Sequence, residues 1–352
     1  MGRHQWGGTS REAPVGRPGA NLPPVSRYIA PGILEIDTLL GGWERVTAGY
    51  LIEGPATVLV ETGSQSSATA LLDALARHGV GAEDLAGVAV THIHLDHAGG
   101  VGDVARAFPN ATVYVHPRGA RHLVDPARLV ASAATVYGSA LDSLYGRMAA
   151  TPPERVKALE DGEEIGIGHG RTLTTVHSPG HAKHHLALHD SATGVLFVGD
   201  AVGVRLPDAG ILRPATPPAD FDLDQALDSL SRFSQRSPSA LALAHYGLLG
   251  EPSAVLEEAA GALQEWADVA RTAWRAGNDV EEALRQHFGG ELEGLAPEQA
   301  RRVEALNGLH SNAEGLKLWL SKADPNDWAP AGPGPRSWNG QWKKVWAWPR
   351  TE

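Results

Sequence analysis

The chain has 352 residues, with 41 Asp and Glu against 30 Lys and Arg, a formal charge of −11 and no cysteine. A hydrophobic content of 42% supports a sizeable core, and an acidic chain is a poor general partner for nucleic acid. Disulfides and thiolate metal sites are excluded, so any bound metal must take nitrogen and oxygen ligands, which favours Zn, Fe or Mn.

Residues 1–27 are rich in Gly, Pro, Ser and Arg and read as a flexible arm. They hold no apolar stretch of the kind a secretory signal needs, and no run in the chain is apolar and long enough to span a bilayer. A cytoplasmic location without a membrane partner is the expectation. Ordered structure is expected from residue 28. "AGYLIEG" and "ATVLVETG" form a hairpin turning at Gly54 and Pro55. "SSATALLDALARHGV" has helical spacing and stops at a glycine. "LAGVAVT" is the near-continuous apolar run of a strand buried on both faces, and "ATVYVH" is a further strand. Residues 126–150 read as mostly helical.

A second β-rich half follows, with "RTLTTVHS", "HLALHD", "GVLFVGD" and "SALALAHYG" as strands. Two such halves predict an α/β fold in which two sheets pack face to face with helices outside. That unit occupies residues 28–250. Residues 251–323 read as a helical appendage, opening with the long amphipathic "SAVLEEAAGALQEWADVARTAWRAG". It covers the core or forms a dimer face. Residues 324–352 carry Trp328, Trp338, Trp342, Trp346 and Trp348 among Pro and Gly. Exposed tryptophans invite association, so this tail is expected to pack on its own chain or on a partner subunit, which is compatible with a homodimer.

The densest chemistry is "THIHLDHAGG", directly after the strand "LAGVAVT". In extended chain, residues two apart point the same way, so His92 and His94 project together. Asp96 and His97 follow where the chain turns, and Gly99 and Gly100 allow close backbone approach. This spacing suits two metal ions side by side better than one. Two ions need more ligands, and three other strand tips offer them: His181 in "HSPGHAKHH", Asp200 in "VLFVGDA" and His245 in "LALAHYG". A carboxylate such as Asp200 has two oxygens and can bridge.

"HIHLDH" with "SPGH", "VGDA" and "AHYG", in that order, resembles the metallo-β-lactamase superfamily, above all its glyoxalase II and lactonase-like hydrolases. The resemblance implies a four-layer αβ/βα sandwich with a dinuclear site at one edge of the sheets. It assigns His92, His94 and His181 to one metal and Asp96, His97 and His245 to the other, with Asp200 between them. Two divalent ions per chain are implied, Zn first, with Fe or Mn as alternatives. "LVETGS" matches the family's Asp-containing turn, with Glu61 in the place of Asp. One group of β-lactamases in the family needs a cysteine ligand, which this chain lacks, so antibiotic hydrolysis is not the expected role.

The expected chemistry is attack of a metal-bridging hydroxide on an ester, lactone or thioester carbonyl of a small-molecule substrate, with Asp96 also orienting the nucleophile. Tyr137 is a candidate donor to the developing oxyanion, against the simpler reading of a tyrosine packed on a helix. Tyr246 carries the same two readings. His184 and His185 are expected to support the ligands or sit buried, and His116, His122 and His177 to be structural or surface residues. The competing functions are an iron persulfide dioxygenase, a small-molecule phosphodiesterase, and a non-enzymatic binding module on the same fold.

Overall fold

The computed structural model describes residues 25–322 except Ser139, Ala140 and Asp208, and for residues 135–137 the backbone alone. Nearly all of the N-terminal arm and the whole Trp-rich tail lie outside the described residues.

Seven strands form the first sheet in chain order: β1 (Ser26–Ala30), β2 (Ile33–Asp37), β3 (Ala48–Ile52), β4 (Thr57–Val60), β5 (Leu85–Ala89), β6 (Thr112–Val115) and β7 (Val156–Ala158). The first four pair antiparallel, including the β3–β4 hairpin, and the pairs from β4 to β7 are parallel. Parallel neighbours need crossovers. Helices supply them: α1 (Ala68–Arg77) and α2 (Val101–Ala107), then α3 (Pro117–Val124), α4 (Ala127–Tyr137) and α5 (Leu141–Leu144) together. The second sheet holds β8 (Glu164–Gly168), β9 (Arg171–His177), β10 (Leu186–Asp190), β11 (Val195–Gly199), β12 (Ala240–Leu243) and β13 (Gly247–Leu249), again in chain order. Its one parallel pair, β11 with β12, is bridged by α6 (Leu223–Gln235).

Side-chain alternation builds the layers. Val58 and Val60 of β4 and Val195 and Phe197 of β11 face each other's sheet in a central apolar layer with Tyr50, Ile165 and Leu188. Leu59 and Val88 face outward onto Leu71 and Leu75 of α1 and Val101 and Val104 of α2. Leu196, Val198, Leu241 and Leu243 face the other way, onto Leu227 and Leu230 of α6. The result is the expected αβ/βα sandwich.

The appendage consists of α7 (Pro252–Arg275), α8 (Val280–Phe288), α9 (Pro297–Asn307) and α10 (Leu309–Lys322). α7 lays Leu256, Ala259, Leu263 and Trp266 on the outer face of the second sheet, and Trp266 stacks on Phe288 with ring centroids 4.6 Å apart. Arg213, in the segment between β11 and α6, is buried. It donates to Glu291 at 2.8 Å and to Glu304 of α9 at 2.9 Å. The helices are therefore fastened to the body of the sandwich by a charged clasp as well as by apolar packing. No described helix is long and apolar enough to cross a membrane.

The stretch 126–150 is less helical than its composition suggests. α4 stops at Tyr137, Gly138 and Gly146 take positive φ, and only the single turn of α5 follows. Tyr137 closes α4, and its side chain is not among those described.

Candidate metal centre

β9, β11 and β12 run in the same direction, because β9 and β11 both pair antiparallel with β10 and β12 is parallel to β11. Their C-terminal ends therefore share one edge, and β5 of the facing sheet ends there too. The loop 90–100 leaves β5 and carries His92, His94, Asp96 and His97. His181 follows β9, Asp200 follows β11 and His245 follows β12. All seven residues read as ligands in the sequence come together at this edge. Gly99 is needed for the loop's close packing: a Cβ there would lie 2.2 Å from the Leu95 carbonyl oxygen and 2.8 Å from the Gln65 nitrogen.

Three overlapping groups can hold a cation. His92, His94 and His181 form one, His92, His97 and Asp200 a second, and Asp96, His97 and His245 a third, the donor atoms of each lying within 4.8 Å of one another. The His92 Nε2 and His94 Nδ1 atoms are 2.9 Å apart, and His181 Nε2 is 3.1 Å from the same His94 atom. On the other side His97 Nε2 and His245 Nε2 are 3.2 Å apart. Asp200 sits between: Oδ1 is 3.4 Å from both His97 Nε2 and His245 Nε2, and Oδ2 is 3.6 Å from His181 Nε2. Asp96 Oδ2 is 3.4 Å from His245 Nε2.

The opposite ring atoms of His92, His97, His181 and His245 have partners, which aims their inner nitrogens. His181 Nδ1 donates to the Ala215 carbonyl at 3.0 Å, and His245 Nδ1 to the Val46 carbonyl at 3.0 Å. His92 Nδ1 is 3.0 Å from Thr91 Oγ1. His97 Nδ1 donates to Glu61 Oε2 at 2.7 Å, while Glu61 Oε1 accepts from the Thr91 backbone at 2.6 Å. The longer Glu61 carboxylate thus reaches the metal loop. A Glu61→Gln protein should fold but bind metal about 10–100-fold more weakly, because one amide oxygen cannot accept both donors. Competition with a chromophoric chelator measures this, and unchanged affinity would show that the carboxylate does not orient His97.

Electrostatics divides the cluster in two. Burial pushes His92 and His181 down and His94 to about 4, so this trio is neutral near neutral pH with lone pairs free to ligate. Burial opposes charge on His97 and His245 as well. There the neighbouring carboxylates win, Asp200 foremost, and raise both. Asp200, despite burial, is held well below the usual carboxylate range by His97 and His245. Its Oδ1 is buried and accepts no hydrogen bond. A buried anionic oxygen without a donor costs several kcal/mol unless a cation faces it. The donor set and this orphaned oxygen fit bound divalent metal.

Residues the sequence left open fall into place around the cluster. His185 is fully buried; its Nδ1 is 2.8 Å from Ser178 Oγ and its Nε2 accepts from the Asp200 backbone N–H at 3.3 Å. His184 faces the cavity in front of the cluster. Tyr246 is buried in the layer between the sheets rather than in that cavity. His116 caps α3 by accepting from Arg118 N at 3.0 Å and stacks on His177, away from the cluster. His122 accepts from Arg121 beside it.

Asp37 supports the site from behind, and no local pattern marks it in the sequence. It accepts from the backbones of Leu39 and Arg45 at 3.0 and 2.6 Å, closing the loop whose Val46 carbonyl holds His245. Burial pushes its carboxyl up to about 6, outweighing those two N–H donors. A folded value above the unfolded one means its contribution to stability is full below pH 3.8 and lost as pH rises through about 6. A carbon-detected NMR titration should find the Asp37 midpoint near 6; an ordinary aspartate midpoint would contradict this burial.

In front of the cluster lies a cavity of about 280 Å³. Its walls include residues from α4, from the segment between β11 and α6, and from α9 and α10, such as Leu129, Val204, Leu306 and Asn312. The appendage therefore does more than cover a sheet.

Comparison with known proteins agrees with this architecture. The sequence profile of the Metallo-beta-lactamase superfamily matches residues 41–245. The solved structure of an archaeal superfamily member from Sulfolobus tokodaii superposes with a TM-score of 0.61 at 22% identity, covering 81% of this chain and 98% of that one. In sequence, a metallo-beta-lactamase fold-containing protein of Sulfurisphaera tokodaii is 28% identical over 165 residues, 46% of this chain and 60% of the relative. An acyl-coenzyme A thioesterase of Bos taurus is 32% identical over 133 residues, 38% of this chain and 46% of the relative. The chain thus spans only about half the length of these curated relatives. The profile covers more than half of the chain and includes every one of the clustered His and Asp residues. The chain belongs to the metallo-beta-lactamase superfamily.

Proposed function

We propose that the protein is a dinuclear metal-dependent hydrolase of an ester, lactone or thioester. His92, His94 and His181 would hold one divalent ion and Asp96, His97 and His245 the other, with Asp200 shared. The observation that carries this reading is the position of the Asp200 carboxylate, buried between the two imidazole groups with one oxygen lacking any donor. Bound there, two cations would supply Lewis acidity and a nucleophilic water at neutral pH.

The chain's own residues account for the rest. The anchored imidazoles fix the ligand geometry before substrate arrives, which spares reorganisation during the reaction. Asp96 is the more exposed of the two carboxylates and lines the cavity. It is held ionised, against burial, by His97 and His245, so it can accept a hydrogen bond from a nucleophilic water. The cavity in front of the cluster has room for a small molecule. The thioesterase among the relatives supports a thioester as one substrate class, and the absence of a cysteine ligand leaves zinc in an all-nitrogen-and-oxygen site.

The test is a panel of small esters, lactones, thioesters and phosphodiesters offered to the zinc- and manganese-loaded protein. Turnover confined to the carbonyl substrates is expected. Turnover of phosphodiesters alone would overturn the reading.

A further inference from the structure

Beyond the cluster, the cavity wall combines apolar side chains with neutral polar ones, Ser132, Tyr145 and Ser311 among them. Leu95, Leu129, Val204, Pro217, Pro218 and Leu306 supply apolar surface. The two amides in the wall are already used. Asn312 Oδ1 accepts from the Thr216 backbone at 2.7 Å and from its hydroxyl at 2.8 Å, and Asn307 Nδ2 donates to the Pro214 carbonyl at 3.1 Å. Among the described residues, no Lys or Arg lines the cavity.

Among the described residues, the charged wall residue outside the cluster is the carboxylate of Asp220. It stands beside His184, with Oδ2 3.9 Å from His184 Nε2. Two lysines stand outside the lining: Lys183, half exposed, with Nζ 3.3 Å from Asp220 Oδ1, and Lys322, whose Nζ donates to the Ala219 carbonyl at 2.7 Å. A carboxylate or phosphate carried on the far end of an acyl chain would meet apolar surface and a like charge, with no cation in the described wall and Lys183 already paired to Asp220. Such a desolvated, unpaired charge is costly.

Resting on the hydrolase reading above, we infer that the site accepts an uncharged, apolar acyl group and rejects an anionic one, with Asp220 as a specificity-determining residue. Part of the apolar wall comes from helices that the sequence places far from the metal loop, Leu129 of α4 and Leu306 of α9. Selectivity is therefore set jointly by these helices and by the segment between β11 and α6 that carries Asp220.

The test uses two methyl esters of equal chain length, methyl hexanoate and monomethyl adipate. Methanol is too small to fill the cavity, so the acyl tail must. The wild-type protein should favour the neutral ester in kcat/KM by on the order of tenfold or more. Asp220→Asn should narrow that ratio by roughly threefold to tenfold, since it removes the like charge and frees Lys183. A merely structural role for Asp220 would slow both esters and leave the ratio alone. Equal or better use of the adipate ester would overturn the inference while leaving the hydrolase reading intact. Should neither ester turn over, the hydrolase reading fails for simple esters. The inference is then decided by calorimetric binding of the matching N-methyl amides: tighter binding of the neutral amide supports it, and equal binding of the anionic amide overturns it.

Discussion

Asp200→Ala is expected to lose most of the bound metal and to reduce hydrolysis by at least about a thousandfold. Each Asp200 oxygen faces a different imidazole group, Oδ1 toward His97 and His245 and Oδ2 toward His181. Alanine therefore removes the carboxylate that, among the described residues, stands between both sides. It also removes the negative charge foremost in raising His97 and His245, so both imidazoles lose much of what favours their charged form. The fold itself should persist, because the Asp200 backbone N–H still donates to His185. Metal content by plasma mass spectrometry, with circular dichroism as a check on folding, reads the result. Near-wild-type activity would show that Asp200 is not shared between two ions.

The second large effect falls far from the metal loop. Gly315→Ala should destabilise the protein by about 2–4 kcal/mol. In an exposed helix the same change stabilises by about 1 kcal/mol, because alanine is the better helix former. At Gly315 of α10 a Cβ would lie 1.8 Å from the Thr216 carbonyl oxygen and 2.8 Å from the Pro217 carbonyl carbon. Backbone cannot yield as a flexible side chain can, so α10 must move away from that segment. The movement strains the hydrogen bonds of Asn312 to Thr216, and Thr216 follows Ala215, whose carbonyl holds His181. Activity should fall along with stability. Gly261 of α7 is the control, since nothing lies within 4 Å of a Cβ there. Gly261→Ala should be neutral or slightly stabilising in chemical denaturation. Equal behaviour of the two variants would mean that α10 is not fastened to the site.

These two variants mark the boundary of what the chain reveals before it is folded. The metal loop was legible because its information is local: two histidines two apart at the end of an apolar strand project together, and His181, Asp200 and His245 each follow an apolar run. The sandwich was legible for a similar reason, since alternation in "ATVLVE" and "GVLFVG" separates an inward from an outward face. Short edge strands such as β7 and β13 carry too few residues to show a period. The clasp of Arg213 on Glu291 and Glu304 spans 78 and 91 positions in the chain, and nothing near Arg213 announces it. The same holds for Asp37, whose role appears only once its loop is seen to hold His245. Glu61 was visible as a position but not as a geometry. Its side chain reaches two donors from a backbone with φ of 66°, a conformation no composition discloses. The helices after residue 251 were legible as helices by their spacing. Their share in the cavity wall was not, because it depends on which way α9 and α10 fold back over the segment around Thr216.

The central claim is that this one edge of the sandwich feeds two metal ions and hydrolyses a carbonyl substrate. The most direct measurement is the metal content of chain purified without chelator, taken on the same preparation as its turnover of a simple ester or thioester. Two equivalents of divalent metal per chain, with hydrolysis lost and regained as the metal is removed and restored, is the predicted result. A single equivalent of iron with oxygen uptake, or a chain that keeps no metal at all, would contradict it.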